Sequence, residues 1–267
     1  MMNRGLVSII MLSHNKGEYV RETVESVLAQ TYQNWEIVVK DDSSKDDTIS
    51  QMMELRQTCR WKGEDGTVVD RIQISKSIQQ RGFGNALNSG LKDARGKWIA
   101  FLNVGDVWEP TKLEKQVAFM EEHDYAFSYT KLGLINEQSE SRGIVIGGKT
   151  HVTYDDMLRC CWPSYLTVMY DAEKIGKMKV KNLGWNNDYA LWLNISEKAD
   201  CYLLDENLAG LRMKWNFLGR LLLTDKMKWR YEVYRIEQGR GRFMSACYTL
   251  RNMYYGLIKW RKYVKRG

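Results

Sequence analysis

Residues 7–48, VSIIMLSHNKGEYVRETVESVLAQTYQNWEIVVKDDSSKDDT, decide the fold of this chain. Two apolar runs of strand length, 7–12 and 35–39, flank a segment whose apolar residues recur at helical spacing: Tyr19, Val20, Val24, Val27 and Leu28. This succession of patterns predicts a β-α-β unit with two parallel strands.

Small polar residues follow each predicted strand. Residues 13–15 (SHN) come after the first run, residues 41–44 (DDSS) after the second, and Asn103 and Asp106 after a later run at 98–102. The carboxyl ends of parallel strands meet at one edge of a sheet, where α/β proteins bind their ligands. We therefore expect Asn15, Asp42 and Asp106 to lie around one site.

Composition narrows the class of protein. The chain has 267 residues, of which 44% are hydrophobic and 27% charged, enough for one sizeable core with an appendage. Five scattered cysteines without a C-x-x-C pair indicate reduced thiols in a cytosolic compartment. No apolar run approaches the roughly 20 residues of a transmembrane helix, and we interpret the amino terminus as the first strand, not a signal peptide.

The end of the chain is basic and aromatic. Residues 212–267 contain 15 lysines and arginines against three acidic residues, although the whole chain carries only +7. Aromatic residues lie between these charges: Trp215, Phe217, Trp229, Tyr231, Tyr234, Tyr254, Tyr255 and Trp260. This mixture favours a peripheral contact with anionic lipid at the inner face of the cell membrane, although a solvated face is an open alternative. No nucleic-acid-binding motif accompanies it, so we expect no nucleic-acid partner.

Between these regions the pattern predicts further elements. Helices are expected near 49–59, 83–95, 110–120 and 153–160 and after residue 187, and strands near 71–75, 125–134 and 167–170. Residues 137–150 read as a loop or hairpin over the cleft. Gly82 and Gly84 do not form a dinucleotide fingerprint, because Leu87 stands where the third glycine is needed.

Several of these segments resemble family 2 glycosyltransferases. The resemblance rests on Ser13-His14-Asn15, on the helix end 26–32 (SVLAQTY), on 41–48 (DDSSKDDT), on 96–102 (GKWIAFL) and on 187–193 (NDYALWL), and it covers about the first 210 residues. It implies the α/β GT-A nucleotide-sugar-binding fold, with a mostly parallel central sheet flanked by helices and a C-terminal helical extension. The implied division is 1–107 for nucleotide binding, 108–210 for acceptor binding, and 211–267 for the extension.

The first implied role is the grip on the nucleotide. Asp41 and Asp42 can accept charge-assisted hydrogen bonds from a pyrimidine N–H and from ribose hydroxyls. By resemblance Asp42 is the base-contacting carboxylate, and Ser13 and Asn15 line the same pocket. The alternative is that the two acids cap the helix that starts near Thr48.

The second implied role is neutralisation of the leaving diphosphate, for which a divalent cation, Mn²⁺ or Mg²⁺, is expected. The resemblance assigns Asn103 and Asp106 to this metal or to the sugar. The chain departs from the family here, because Gly105 replaces the usual metal-binding aspartate. Asn103–Asp106 could instead form a simple turn. Arg81 is a candidate for the phosphates, or an ordinary surface arginine.

The third implied role is that of the base. Asp188 matches the carboxylate that deprotonates the acceptor hydroxyl in inverting members, and a role as helix N-cap is compatible with it. The resemblance thus predicts an inverting hexosyltransferase that uses a nucleotide sugar, preferably a UDP-sugar, and a glycan or lipid-linked glycan acceptor of capsule, O-antigen or lipopolysaccharide synthesis. The alternative is a catalytically weak nucleotide-sugar-binding protein on the same scaffold; a nucleotidyltransferase is more remote, since no glycine-rich phosphate loop is present.

Overall fold

A computed structural model describes residues 4–62, 68–213 and 223–266. Its centre is a mixed sheet in the order β10-β12-β8-β11-β6-β1-β2-β5, with β7, β9 and β13 attached to it and a separate β3-β4 pair. The described strands are β1 (Val7–Ser13), β2 (Trp35–Asp41), β3 (Arg60–Lys62), β4 (Val68–Asp70), β5 (Ile72–Lys76), β6 (Trp98–Asn103), β7 (Val107–Trp108), β8 (Phe127–Ile135), β9 (Ser141–Ile146), β10 (His151–Val152), β11 (Val168–Asp171), β12 (Cys201–Arg212) and β13 (Val264–Arg266).

Helices cover both faces of this sheet. They are α1 (Gly17–Leu28), α2 (Thr48–Thr58), α3 (Phe83–Asp93), α4 (Lys112–Glu122), α5 (Tyr154–Arg159), α6 (Ala172–Ile175), α7 (Asn187–Ser196), α8 (Leu223–Glu232) and α9 (Arg242–Tyr263), with a 3₁₀ turn at Tyr165–Thr167 and a π-helical turn at Val233–Glu237. Within the described residues, none of the helices combines the length and the apolar composition needed to cross a bilayer.

The β-α-β unit forms as the sequence predicts. β1 and β2 pair in parallel, with Val7 opposite Trp35 and Ser13 opposite Asp41. All seven residues of each strand are buried, because helices cover both faces of this part of the sheet. α1 turns its valines onto the sheet, and β5 and β6 extend the parallel arrangement on either side.

Parallel pairing continues only in part beyond β6. β8 and β12 are parallel, but β11 lies between β6 and β8 and is antiparallel to both. The chain enters β11 directly from the 3₁₀ turn, whose Tyr165 packs against Phe101 near the carboxyl end of β6. β11 must therefore run back across the sheet. The predicted α/β fold with a central sheet flanked by helices is confirmed.

The C-terminal extension is part of the fold. Val233 and Tyr234, in the π-helical turn, are fully buried in the core beside α7. After α9 the chain forms β13, which pairs antiparallel with β9 of the predicted hairpin, Val264 opposite Ile146. The aromatic residues Trp215 and Phe217 lie outside the described residues.

Candidate active site

Three strand ends meet at the carboxyl edge of the sheet. In the parallel register Ser13 lies opposite Asp41, and Leu12 lies opposite Asn103. The residues that follow β1, β2 and β6 therefore come together, which is the convergence that the strand pattern predicts.

The carboxylate of Asp41 forms hydrogen bonds within the site's loops and holds the loop that follows β2. Its carboxylate accepts hydrogen bonds from Ser13 Oγ at 2.8 Å, Ser44 N at 2.8 Å and Ser44 Oγ at 2.5 Å, and the residue is only 1% exposed. A buried carboxylate with three such donors is a structural support. The start of α2 is served by another acid, since Asp46 accepts from Thr48 N and Thr48 Oγ1.

Asp42 does not bind this loop; its carboxylate binds the residues that lead into α3. Its two oxygens accept backbone N–H groups, from Arg81 at 2.7 Å and from Gly82 at 3.0 Å. Gly82 has φ +84°, a left-handed conformation that favours glycine. A carboxylate has about four lone-pair sites, so Asp42 keeps acceptor capacity for a ligand. Arg81 itself contributes its backbone here, and its side chain is exposed.

A cavity of about 550 Å³ opens between the loops that follow β2 and β5, and its volume is within the size range of ligand sites. It is lined by Ser43, Ser44, Lys45, Asp46, Lys76, Ser77 and Ile78. Asn15 shapes its wall, because its backbone N donates to Ser44 Oγ and its Oδ1 accepts from Lys45 N, both at 2.8 Å. A second cavity, of about 430 Å³, lies at the opposite edge of the sheet beside Trp98, away from these polar ends.

The turn after β6 supplies two oxygen donors suited to a hard cation. Among the described residues, Asn103 Oδ1 is buried without a hydrogen-bond partner, and Asp106 uses only Oδ1, which accepts Arg212 N at 3.0 Å. Burial raises the pKa of Asp106 to about 7. Asparagine and aspartate oxygens fit Mn²⁺ or Mg²⁺, which takes further ligands from substrate phosphates and water. The remaining donors would come from outside the protein, since Gly105 offers no side chain.

Arg212, at the end of β12, is a residue that sequence reasoning missed. Its Nε donates to Gly105 O at 2.7 Å, and an Nη pairs with Glu22 at 2.6 Å. Its guanidinium also lies 4.5 Å from the centre of the Tyr19 ring. Arg212 therefore fixes the turn that carries Asp106 against α1. The sequence signal that could have found it is an arginine directly after the apolar run 208–211.

Asp188 lies in the first turn of α7. The N-cap position belongs to Asn186, in a left-handed conformation with φ 54°. The carboxylate interacts electrostatically with Arg230 of α8, and Tyr165 and Cys161 lie within its field. Burial raises the pKa of Asp188, and the positive charge of Arg230 acts to lower it. A carboxylate in this setting has the raised basicity that a general base needs.

The first turn of α3 lies between Asp42 and the start of α7. Gly82 N binds Asp42, and a Cβ on Gly84 would come within 2.6 Å of Asn187 Oδ1, so this close approach requires glycine. Phe83 packs edge-on against Tyr165, with ring centroids 5.5 Å apart. The structure thus places Asp42 and Asp188 on the two sides of one helix start, and Asp106 beside α1.

The C-terminal extension supplies further groups beside Asp188. Trp229 stacks on Trp185 with ring centroids 4.7 Å apart, and the Arg230 guanidinium lies 5.0 Å from the centre of the Tyr189 ring. Arg230 Nη1 is buried and has no hydrogen-bond partner among the described residues. The composition of the tail pointed to a surface role, so sequence reasoning did not assign Trp229 or Arg230 to the site.

The profile of the family described as Glycosyl transferase family 2 matches residues 8–168, more than half of the chain. The chain belongs to this family. The resemblance inferred from the motifs is confirmed, and the protein is a glycosyltransferase.

Named relatives extend over most of the chain. It is 32% identical over 249 residues to the putative teichuronic acid biosynthesis glycosyltransferase TuaG of Bacillus subtilis, covering 91% of this chain and 92% of the relative. It is 33% identical over 210 residues to the Escherichia coli UDP-Glc:α-D-GlcNAc-diphosphoundecaprenol β-1,3-glucosyltransferase WfgD, covering 79% and 74%.

Solved structures share the fold. S. aureus TarS 1–349 in complex with UDP-GlcNAc superposes with a TM-score of 0.68 at 19% identity, over 90% of this chain and 69% of TarS. The Pyrobaculum calidifontis mannosyltransferase PcManGT, in complex with GDP-Man and Mn²⁺, gives 0.65 at 12% identity, over 97% and 73%. At these identities the likeness shows the GT-A fold alone.

Proposed function

We propose that this family 2 glycosyltransferase is an inverting hexosyltransferase that uses a UDP-sugar as donor. The observation that carries the proposal is Asp188, a carboxylate of raised pKa at the start of α7, across the first turn of α3 from Asp42. Asp188 would take the proton of the acceptor hydroxyl as that oxygen attacks the anomeric carbon from the face opposite the leaving group.

At the donor side, Asp42 would accept hydrogen bonds from the base, and Ser13, Asn15 and Asp41 would hold the loop around the nucleotide. A divalent cation supplies neutralisation of the leaving diphosphate when it is bound. Asp106 and Asn103 are the residues of this chain that would hold it. Arg81 would add positive charge near the phosphates from the same turn as Gly82.

The acceptor is proposed to be a glycan carried on a lipid, built into capsule, O-antigen or lipopolysaccharide. This rests on the relatives: WfgD is named for a GlcNAc-diphosphoundecaprenol acceptor, and TuaG for teichuronic acid biosynthesis. With such an acceptor the reaction would take place at the inner face of the membrane. The exposed Trp185, stacked on Trp229, offers an apolar platform for a sugar ring beside Asp188.

The proposed division of labour is nucleotide binding by residues 1–107, acceptor binding by 108–210, and membrane and acceptor contacts by 211–267. It is a division of function and not of folding units, since β12 continues through the second boundary and β13 returns to the sheet.

The test uses the purified protein with UDP-glucose, UDP-GlcNAc and GDP-mannose, and a GlcNAc-diphosphate-lipid acceptor, with Mn²⁺ or with a chelator. We expect transfer from a UDP-sugar and a β linkage in the product. Donor binding without any turnover, in the presence of Mn²⁺ and acceptor, would favour the alternative of a weakly catalytic binding protein. The replacement of the family's metal ligand by Gly105 is the observation that keeps this alternative open.

A further inference from the structure

The helix α9 exposes an apolar stripe, although the residues that it buries most deeply are polar. Its buried residues are Ser245, Thr249 and Asn252, which lie at positions i, i+4 and i+7 of one face. On the opposite face an apolar stripe points to solvent, with these exposed fractions: Phe243 78%, Leu250 60%, Tyr254 62% and Leu257 67%. Exposed Cys247 lies within the same stripe.

Specific bonds fix the helix in this orientation. Asn252 Nδ2 donates to Tyr189 OH at 2.9 Å and to Tyr234 OH at 3.0 Å. One turn from the end, Lys259 Nζ donates to the carbonyls of Cys161 and Trp162 at 2.9 and 2.7 Å. Rotating the stripe inward would break these buried hydrogen bonds, each of which is expensive to leave unmade.

The charge around the stripe identifies its partner. Residues 238–266 contain eight lysines and arginines and no aspartate or glutamate. The exposed Arg242, Arg261 and Lys262 lie along or beside the stripe, and β13 adds Lys265 and Arg266 just beyond it. A second copy of this chain would bring the same positive charge against itself, which disfavours self-association. An anionic lipid surface satisfies both the apolar stripe and its basic margin.

We propose that the apolar stripe of α9, residues 243, 247, 250, 254 and 257, inserts into the headgroup region of an anionic phospholipid bilayer, with the flanking arginines and lysines on the lipid phosphates. Trp260, half exposed beside the stripe, lies at the polar boundary, as tryptophan does at membrane interfaces. Long arginine and lysine side chains reach back to the phosphates while their methylene groups stay in the apolar layer.

This docking also sets the distance between the bilayer and the catalytic groups. The buried face of α9 touches Tyr189, the residue after Asp188 in α7. The lipid surface, on the opposite side of α9, would therefore lie about one helix diameter, roughly 10–12 Å, from Tyr189. The inference deepens the membrane contact proposed for residues 211–267, and vesicle binding tests it separately from the transfer reaction.

The experiment measures binding of the full chain to vesicles of phosphatidylcholine alone and of phosphatidylcholine with phosphatidylglycerol. We expect binding only to the anionic vesicles, weakening as salt is raised. Leu257→Glu and Leu250→Glu should each weaken it about ten-fold or more, because an apolar contact is replaced by a charge that repels the lipid. Met53→Glu, at a similarly exposed methionine on α2, is the matched control and should bind like wild type.

A second set of variants distinguishes the contribution of the basic residues to vesicle binding from that of the apolar stripe. Arg261→Gln and Lys262→Gln should each reduce binding about five-fold at low salt and much less at high salt. Thermal melting and UDP-sugar binding should stay unchanged in all these variants, because the polar inner face of α9 is untouched. Equal binding to neutral and anionic vesicles, no binding to either, or wild-type binding by Leu257→Glu would each overturn the proposal. So would a dimer in light scattering that Leu257→Glu converts to monomer, since a second copy would then cover the stripe.

Discussion

The donor wall of the site, residues 13–15, 41–46 and 76–82, is held together by hydrogen bonds between neighbouring loops. The acceptor wall, residues 161–165, 185–189 and 229–230, instead brings together three segments that are distant in the sequence, one of them from the C-terminal extension. Asp42 is fixed by two backbone N–H groups, and Asn15 by a third. Asp188 accepts backbone N–H groups from its own helix turn, and it interacts electrostatically with Tyr165, Cys161 and Arg230 from the other two segments.

This difference determines which residues each wall needs and what a substitution there should change. The donor wall depends on its two acids, on the short polar side chains of Ser13, Asn15 and Ser44, and on the glycine that shapes the turn. The acceptor wall needs particular side chains from three distant segments, and a change in one of them alters its geometry and charge. We expect substitutions on the donor wall to change donor affinity or folding, and substitutions on the acceptor wall to change turnover and its pH dependence.

The largest effect is expected from Asp188→Asn. An amide cannot accept the proton of the acceptor hydroxyl, so kcat should fall about 10²- to 10⁴-fold while the Kd for the UDP-sugar stays within two-fold, as measured by steady-state kinetics and calorimetry. Asp124→Asn, at an exposed acid beside Lys174, is the control and should keep full turnover. Full turnover by Asp188→Asn would show that Asp188 is not the base and that the acceptor wall does not take part in the proton transfer.

The paired variants Asp42→Asn and Asp41→Asn divide the donor wall into a binding part and a folding part. Asp42→Asn should weaken donor binding about ten- to a hundred-fold, since it loses charge-assisted acceptor capacity towards the ligand. Asp41→Asn should instead lower the free energy of unfolding by about 1–3 kcal/mol, because an amide keeps only one of the two oxygens that accept three hydrogen bonds from Ser13 and Ser44. Calorimetric titration and denaturant unfolding separate the two, and an exchange of these outcomes would reverse the assigned roles.

Arg230→Met tests whether the extension tunes the base. The folded-state pKa of Asp188 is raised by burial and held down by Arg230, so loss of the cation should raise it further. Because only the ionised carboxylate accepts a proton, the acid limb of the kcat profile should move to higher pH, by about one unit. Arg230→Lys keeps the charge and should restore the profile. A uniform loss of kcat with no shift of the limb would mean a packing role only.

Tyr234→Phe should give the smallest effect. Its hydroxyl donates to Leu158 O at 2.7 Å and is shared with Tyr189 and Asn252 in the core behind α7. Its loss should reduce stability by about 1 kcal/mol, a shift in Tm of about 2–4 °C, and raise the KM for acceptor more than the KM for donor. Tyr254→Phe, on the exposed face of α9, should leave the Tm and both KM values unchanged. An equal rise in both KM values would argue against the separation of the two walls.

The sequence predicted the donor half well because its determinants are local. Apolar runs at 7–12, 35–39 and 98–102 specify buried parallel strands, and the polar residues that follow each run must then share an edge. The same logic could not tell Asp41 from Asp42. Adjacent residues of an extended chain point to opposite sides, and only the partners that each meets reveal which one holds the loop.

The extension shows the limit of such reasoning. Its composition predicted a basic aromatic helical appendage, and the helices are present. Nothing in that composition indicates that Tyr234 enters the core, that Arg230 stands beside Asp188, or that β13 joins β9. The face of α9 that is buried also cannot be read from periodicity, because the period is helical whichever face is buried.

The sequence by itself determined the α/β class, the family, and the identity of the acids at the strand ends, because periodicity and short motifs act over a few neighbouring residues. The tertiary structure alone decided which acid keeps capacity for a ligand, what surrounds Asp188, and which face of α9 meets solvent. These outcomes depend on interactions between residues tens of positions apart, such as the electrostatic interaction of Asp188 with Arg230 and the hydrogen bond of Asn252 to Tyr189, and such interactions exist only after the chain has packed.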